Sequence, residues 1–109
     1  MNEHDILDPS VRARAIEKAT KKSKFLRDRE LSDIRKVIRE PEGRRFYWRV
    51  LSDAGIFRNS FTGNSTTFYN EGQRSIGLGL LEDLLEADKL AFSKMQLEQY
   101  SEAKKQEDK

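Results

Sequence analysis

PEGRRFYWRVLSDAGIF, residues 41–57, decides how the rest of the chain is read. It opens on a proline, which suits the first turn of a helix. Because the residue ahead of a proline avoids helical backbone, the same proline closes any preceding helix near Glu40. Phe46, Val50 and Ala54 then fall along one helical line with Tyr47 and Leu51 beside it, a broad apolar face of the kind that packs into a core. Gly55 supplies a stop, after which Ile56 and Phe57 can fold back onto the last turn. The stretch reads as one helix, about 41–54, and its neighbours are read against it.

Upstream, Leu31, Ile34, Val37 and Ile38 repeat at helical spacing up to the Pro41 boundary. Further back, Asp8 before Pro9 makes a helix start. From there to about residue 26, Val11, Ala15, Ala19 and Leu26 share a thin apolar face and Arg14, Lys18, Lys21 and Lys24 share another. A kink or turn is expected at 24–28. Downstream, RNSFTGNSTT (58–67) is a run of turn formers around Gly63 and Asn64, with Phe61 as its apolar anchor.

The next helix is expected from Thr66 or Thr67 to about Ala87. Tyr69, Ile76, Leu80 and Leu84 line one face, Leu78, Leu81 and Leu85 another, while Gly72, Ser75 and Gly79 lie together beside Phe68. A glycine inside a helix costs about 1 kcal/mol relative to alanine, so the spacing predicts close approach of another backbone at Gly72 and Gly79. The second half of this helix is apolar on most sides, which places it at the bundle centre or under another subunit, the latter making a homo-oligomer. Residues 88–109 continue as a weakly amphipathic helix through Leu90, Ala91, Met95, Leu97 and Tyr100, and SEAKKQEDK is expected to trail off disordered. No strand alternation interrupts this order. The expected fold is all-α, a small helical hairpin or bundle of about four helices with charged, partly flexible termini. Its divisions are an acidic N-terminus and basic helix (1–27), a helical core (28–87) and a charged C-terminal helix and tail (88–109).

At 109 residues the chain has room for one modest core. With 36% hydrophobic against 37% charged residues, much of it must be solvated helix face. The net charge of +2 is unevenly spread: residues 9–27 hold Arg12, Arg14, Lys18, Lys21, Lys22, Lys24 and Arg27 against Glu17, while Glu82, Asp83, Glu86 and Asp88 form an acidic group. The absence of cysteine excludes disulfides, thiolate metal sites and cysteine nucleophiles. MNEHDILDPS lacks the regions of a signal peptide, and no apolar run reaches the ~18 residues of a membrane span. A cytoplasm-like compartment is therefore expected.

Catalytic and metal chemistry find little footing. His4 has Glu3, Asp5 and Asp8 nearby but no second histidine or cysteine to complete a metal site. The acidic group from Glu82 to Asp88 matches no calcium loop. Serines and threonines have no histidine in a structured segment to act as base, and the pair Glu42 and Glu71 has no separation fixed by sequence. No catalytic residue, metal or cofactor is assigned.

Two echoing elements carry more. EGRR (42–45) and EGQR (71–74) each place Glu-Gly in the first turn of a helix with arginine following. Glutamate there suits the helix dipole, and the arginines can pair with acids on another element. Alternatively Arg44, Arg45 and Arg74 present a partner or anion site, with Trp48 one turn along, off the Phe46 face and available to stack under a cation. The basic face of Arg14, Lys18, Lys21 and Lys24 supports a separate reading, neutralisation of nucleic-acid phosphates. The ordinary meaning of such a charge run is a solvated face or a disordered arm, and no helix-turn-helix or zinc pattern accompanies it.

The run EPEGRRFYWRVLSDAGIFRNSF, followed after the loop by TTFYNEGQRSIGLGLLEDL, resembles the core signature of a family of small virion-associated proteins of tailed bacteriophages, first described from a Bordetella phage particle. The resemblance covers roughly residues 28–86, with Pro41, Glu42, Gly43, Arg44, Arg45, Trp48, Glu71, Gly72, Gln73, Arg74 and Gly77 at its pattern positions. It implies a non-enzymatic structural component of a short-tailed phage virion, made in the host cytoplasm. Such a component is expected to bind other virion proteins, inside the head or at the neck or tail; contact with packaged DNA through the basic helix is the alternative reading of the same chain.

Overall fold

The computed structural model describes residues 8–59 and 62–108, and every regular element among them is a helix. The four are α1 (Pro9–Val37), α2 (Pro41–Asp53), α3 (Thr66–Ala87) and α4 (Ala91–Glu107). The predicted boundaries of α2 and α3 hold to within a residue. Two expectations fail: α1 is helical at every residue through 24–28, and SEAKKQEDK is helical as far as Glu107. Lysine and glutamate are good helix formers and Ala103 is the best of all, so local propensity carries α4 past its last core contact. Phe61 and the cluster around His4 lie outside the described residues.

The chain divides into two units, Met1–Glu30 and Leu31–Lys109. In the first, Asp8 caps α1: its carboxylate accepts from the backbone N–H and the hydroxyl of Ser10, both at 2.9 Å. These bonds, the backbone one foremost, hold its carboxyl below the ordinary aspartate range. From Asp8 to Glu30 only Val11 and Arg27 are even half-buried. The helix there is supported locally, by Lys21–Glu17 at 3.1 Å, Arg27–Glu30 at 3.3 Å and Arg29 lying 6.0 Å over the Phe25 ring. Such exposed pairs contribute a few tenths of a kcal/mol each, roughly.

The second unit holds the core. Leu51, Leu84 and Met95 are fully buried, joined by Ile38 and Ala91, with Ile34, Tyr47, Trp48, Ile56, Leu80, Leu81 and Phe92 packed around them. Each fully buried aliphatic side chain contributes about 1.5–3 kcal/mol relative to exposure. The sequence reading placed Phe46 on the core face of α2; Phe46 is instead exposed, with Arg49 5.2 Å over its ring, and the inward face is Tyr47, Trp48 and Leu51. The two faces lie a quarter-turn apart on the helix, and apolar periodicity alone could not choose between them.

A Schellman turn ends α2. Ile56 N–H donates to Leu51 O (3.4 Å) and Gly55 N–H to Ser52 O (3.0 Å), a closure that needs the positive φ of 82° at Gly55. Ile56 thereby lands on the core beside Leu51. The chain then reverses. Tyr47 donates its hydroxyl to the Leu80 carbonyl, while Gly77 lies against Ala54 and Ile56, so α2 and α3 run antiparallel.

Gly77 is the close approach: a Cβ there would stand 2.6 Å from Ala54 Cβ and 2.7 Å from Ile56 Cγ2. The sequence reading assigned that role to Gly72 and Gly79, and the structure overturns it, since both face open space. On the wheel Gly77 shares the buried side with Leu84, whereas Gly72 and Gly79 share the opposite side with the exposed Phe68 and Ile76.

Candidate functional site

The two Glu-Gly-Arg elements sit at opposite ends of the α2–α3 hairpin. Antiparallel packing puts Arg74, one turn before Gly77, toward the Ala54 end, and Arg44, one turn before Tyr47 and Trp48, toward the other. The expected cluster of Arg44, Arg45, Trp48 and Arg74 is therefore not one site.

Arg44 is built into the corner between α1 and α2. Glu40 takes the extended conformation (φ −96°, ψ 146°) that precedes a proline, and α2 starts at once on Pro41. Gly43 lets the end of α1 come close, because a Cβ there would fall on the Val37 carbonyl, 2.7 Å from its carbon. Arg44 then reaches back. Its Nη1 donates to the carbonyls of Ile38 and Arg39, each at 2.9 Å, and its Nε to Glu98 at 2.7 Å. The guanidinium neutralises the carbonyl end of α1 and ties it to α4, with the side chain only 11% exposed. Arg35 does the same for α3, its Nε donating to Ala87 O at 2.7 Å.

Trp48 is not free to stack beneath Arg44. Its ring lies 5.0 Å from Phe57 and 5.6 Å from Phe92, one cluster fastening the α2 turn to α4. Arg45 is exposed and pairs at 3.8 Å with Glu42 one turn away. Arg74 is half-buried on α3. Arg14, Lys18, Lys21 and Lys24 are all exposed in the first unit. Among the described residues no group of three or more histidine, cysteine or acidic side chains could hold a metal ion, and no helix is long and apolar enough to cross a membrane.

Three features escaped the sequence reading. Glu98 is one; its place at i+7 from Ala91 and i+3 from Met95, on the inward line of α4, was the available signal. The second is how much apolar surface the unit leaves in solvent. On α3, Phe68 is 82% and Ile76 70% exposed; Leu90, the N-cap of α4, is 75% exposed and Leu97 within it 68%. The third is a groove of about 440 Å³ beneath the ends of α1 and α3, with Arg35, Arg39, Arg44 and Lys94 around Ile38, Ala87 and Ala91.

Among known families, the model for the Bbp19-like phage protein matches residues 34–95. That span begins and ends on core residues, Ile34 and Met95, and covers more than half of the chain. Comparison with curated proteins and with solved structures gives no match.

Proposed function

Because the chain belongs to the Bbp19-like phage protein family, we propose that it is a non-enzymatic structural component of a phage particle that works by docking onto other particle proteins, inside the head or at the neck or tail. One observation carries this reading: a second unit with a complete core of its own still leaves Phe68, Ile76, Leu90 and Leu97 in solvent. Large side chains exposed along helix faces are what an assembly covers. The open glycines Gly72 and Gly79 flank Ile76 on the same face of α3, leaving room for a neighbouring backbone.

Mass spectrometry of purified particles is the test. The chain is expected at a constant ratio to the coat protein, and its absence from particles at any ratio overturns the proposal. Replacing Phe68 and Ile76 with serine sharpens the test. Both side chains are exposed, so stability is expected to stay within about 0.5 kcal/mol while incorporation falls; full incorporation of the variant removes this face from the docking surface.

A second reading rests on the exposed basic face of Arg14, Lys18, Lys21 and Lys24, where only Lys21 has an ion-pair partner among the described contacts. Here the chain binds packaged DNA through phosphates. Affinity for duplex DNA would then fall by a slope of about 0.9 per neutralised phosphate as salt rises, and binding indifferent to salt would eliminate it.

A further inference from the structure

The groove under the ends of α1 and α3 is charged in a way that its structural contacts do not use up. Arg35 and Arg44 each spend hydrogen bonds on helix-terminal carbonyls, and Arg44 also has Glu98. Arg39 and Lys94 line the same groove with exposed side chains that have no acidic partner among the described residues. The one acid lining it, Asp88, accepts the Leu90 N–H at 2.9 Å and so serves the start of α4. The balance around the opening is therefore cationic over an apolar floor of Ile38, Ala87 and Ala91.

The rim continues this mixture. Leu90, Lys94 and Leu97 stand at i, i+4 and i+7 of the chain leading into and along α4, which puts them on one line. Both leucines on that line are exposed. A surface that alternates aliphatic and basic groups matches a ligand that alternates aliphatic and acidic ones. Nucleic acid fits less well: it offers phosphates but nothing to cover the two leucines, and two unpaired cations would neutralise too few phosphates for appreciable affinity.

We infer that this groove is a docking site for a segment of a partner protein carrying carboxylates beside aliphatic side chains, the carboxylates meeting Arg39 and Lys94 and the aliphatic groups covering Leu90 and Leu97. The inference rests on the reading of the chain as a docking component and adds the partner's chemistry. Charge complementarity of this kind raises the rate of encounter and fixes register, while the buried aliphatic contacts hold the complex.

The experiment uses the full chain and a fluorescent helical peptide with glutamate at every fourth position and leucine three residues after each glutamate. A glutamine-for-glutamate version and a DNA duplex are the control probes. Anisotropy is expected to show saturable binding of the glutamate peptide, weakened about tenfold or more for the glutamine peptide and for the variant R39E/K94E. Leu90→Ser with Leu97→Ser is expected to weaken it as well. Neither Arg39 nor Lys94 has a side-chain partner to lose, so the charge-reversed variant should melt as the parent does. No binding of the glutamate peptide, equal binding of both peptides, or binding untouched by the charge reversal overturns the inference. So does a charge reversal that abolishes duplex binding and spares the peptide. Peptide binding by a chain missing from particles would sink the particle reading alone, whereas a chain present in particles with an inert groove would sink only the groove.

Discussion

Residues 42–45 and 71–74 are nearly the same words, EGRR and EGQR, each in the first or second turn of a helix, yet they do different physical work. In the first, the glycine admits the Val37 carbonyl and the arginine caps the end of α1 while reaching Glu98. In the second, the glycine faces solvent, and the arginine is half-buried on α3 with no ion-pair partner among the described contacts. A corner between two helices needs both a missing side chain and a long cation; a solvent-facing early turn of a helix needs neither. The similarity of the two elements is one of helix-start composition, and their difference comes from what lies across from them.

Substituting the glycines should separate the two most sharply. Gly43→Ala forces its Cβ onto the Val37 carbonyl, backbone that cannot swing aside, and is expected to cost about 3 kcal/mol, at the upper end for overpacking. Gly72→Ala meets nothing and should gain about 1 kcal/mol from helix propensity. Urea denaturation of both variants measures this, and equal shifts would dissolve the distinction. Gly77→Ala should fall between, costing about 2 kcal/mol because Ala54 and Ile56 must give way, while Gly79→Ala behaves like Gly72→Ala.

The arginines give the next contrast. Arg44→Ala removes charge-assisted bonds to two carbonyls and to Glu98, and is expected to cost about 2 kcal/mol. Arg74→Ala should stay within about 0.5 kcal/mol. If Glu98→Gln lowers stability in the parent but not in Arg44→Ala, the loss is assigned to the pair; additive losses would place it elsewhere.

The sequence revealed the elements better than their faces. Pro41, Gly55 and the Asn64–Thr66 turn fixed the ends of α2 and the start of α3, since proline, a positive-φ glycine and an asparagine side chain bonding the Thr66 N–H act locally. Which side of α2 turns inward depends on groups far along the chain. Trp48 is drawn to Phe57 and Phe92 and away from solvent, leaving Phe46 outside, and no periodicity of residues 41–54 encodes the position of Phe92. Gly77 was visible as a pattern position but not separable from Gly72 and Gly79, because all three lower propensity equally and only the partner helix distinguishes them. The groove cations Arg39 and Lys94 lie 55 positions apart and are brought together by the turn at Asp88 and the corner at Pro41.

The smallest effect concerns the middle of the hairpin, where the comparison of its two ends does not reach. Tyr47 is pushed up to about 12, first by burial and second by the negative charge of Asp83, while its hydroxyl donates to the Leu80 carbonyl across the α2–α3 seam. The phenol of the unfolded chain ionises near 10, so between about pH 10 and pH 12 the folded chain holds a proton that the unfolded chain has released. The stabilisation is complete below the unfolded value and drains away as pH rises through that window. Tyr47→Phe loses the hydrogen bond, about 1 kcal/mol, but has no phenol to ionise. Its deficit relative to the parent should therefore be largest near neutral pH and shrink toward about pH 11. Lysine titration is common to both proteins and cancels in the difference of their urea midpoints. A gap that stays constant across this range would mean that the Tyr47 phenol is no better shielded in the hairpin than in the open chain, and that the seam between α2 and α3 is looser than its contact with Leu80 implies.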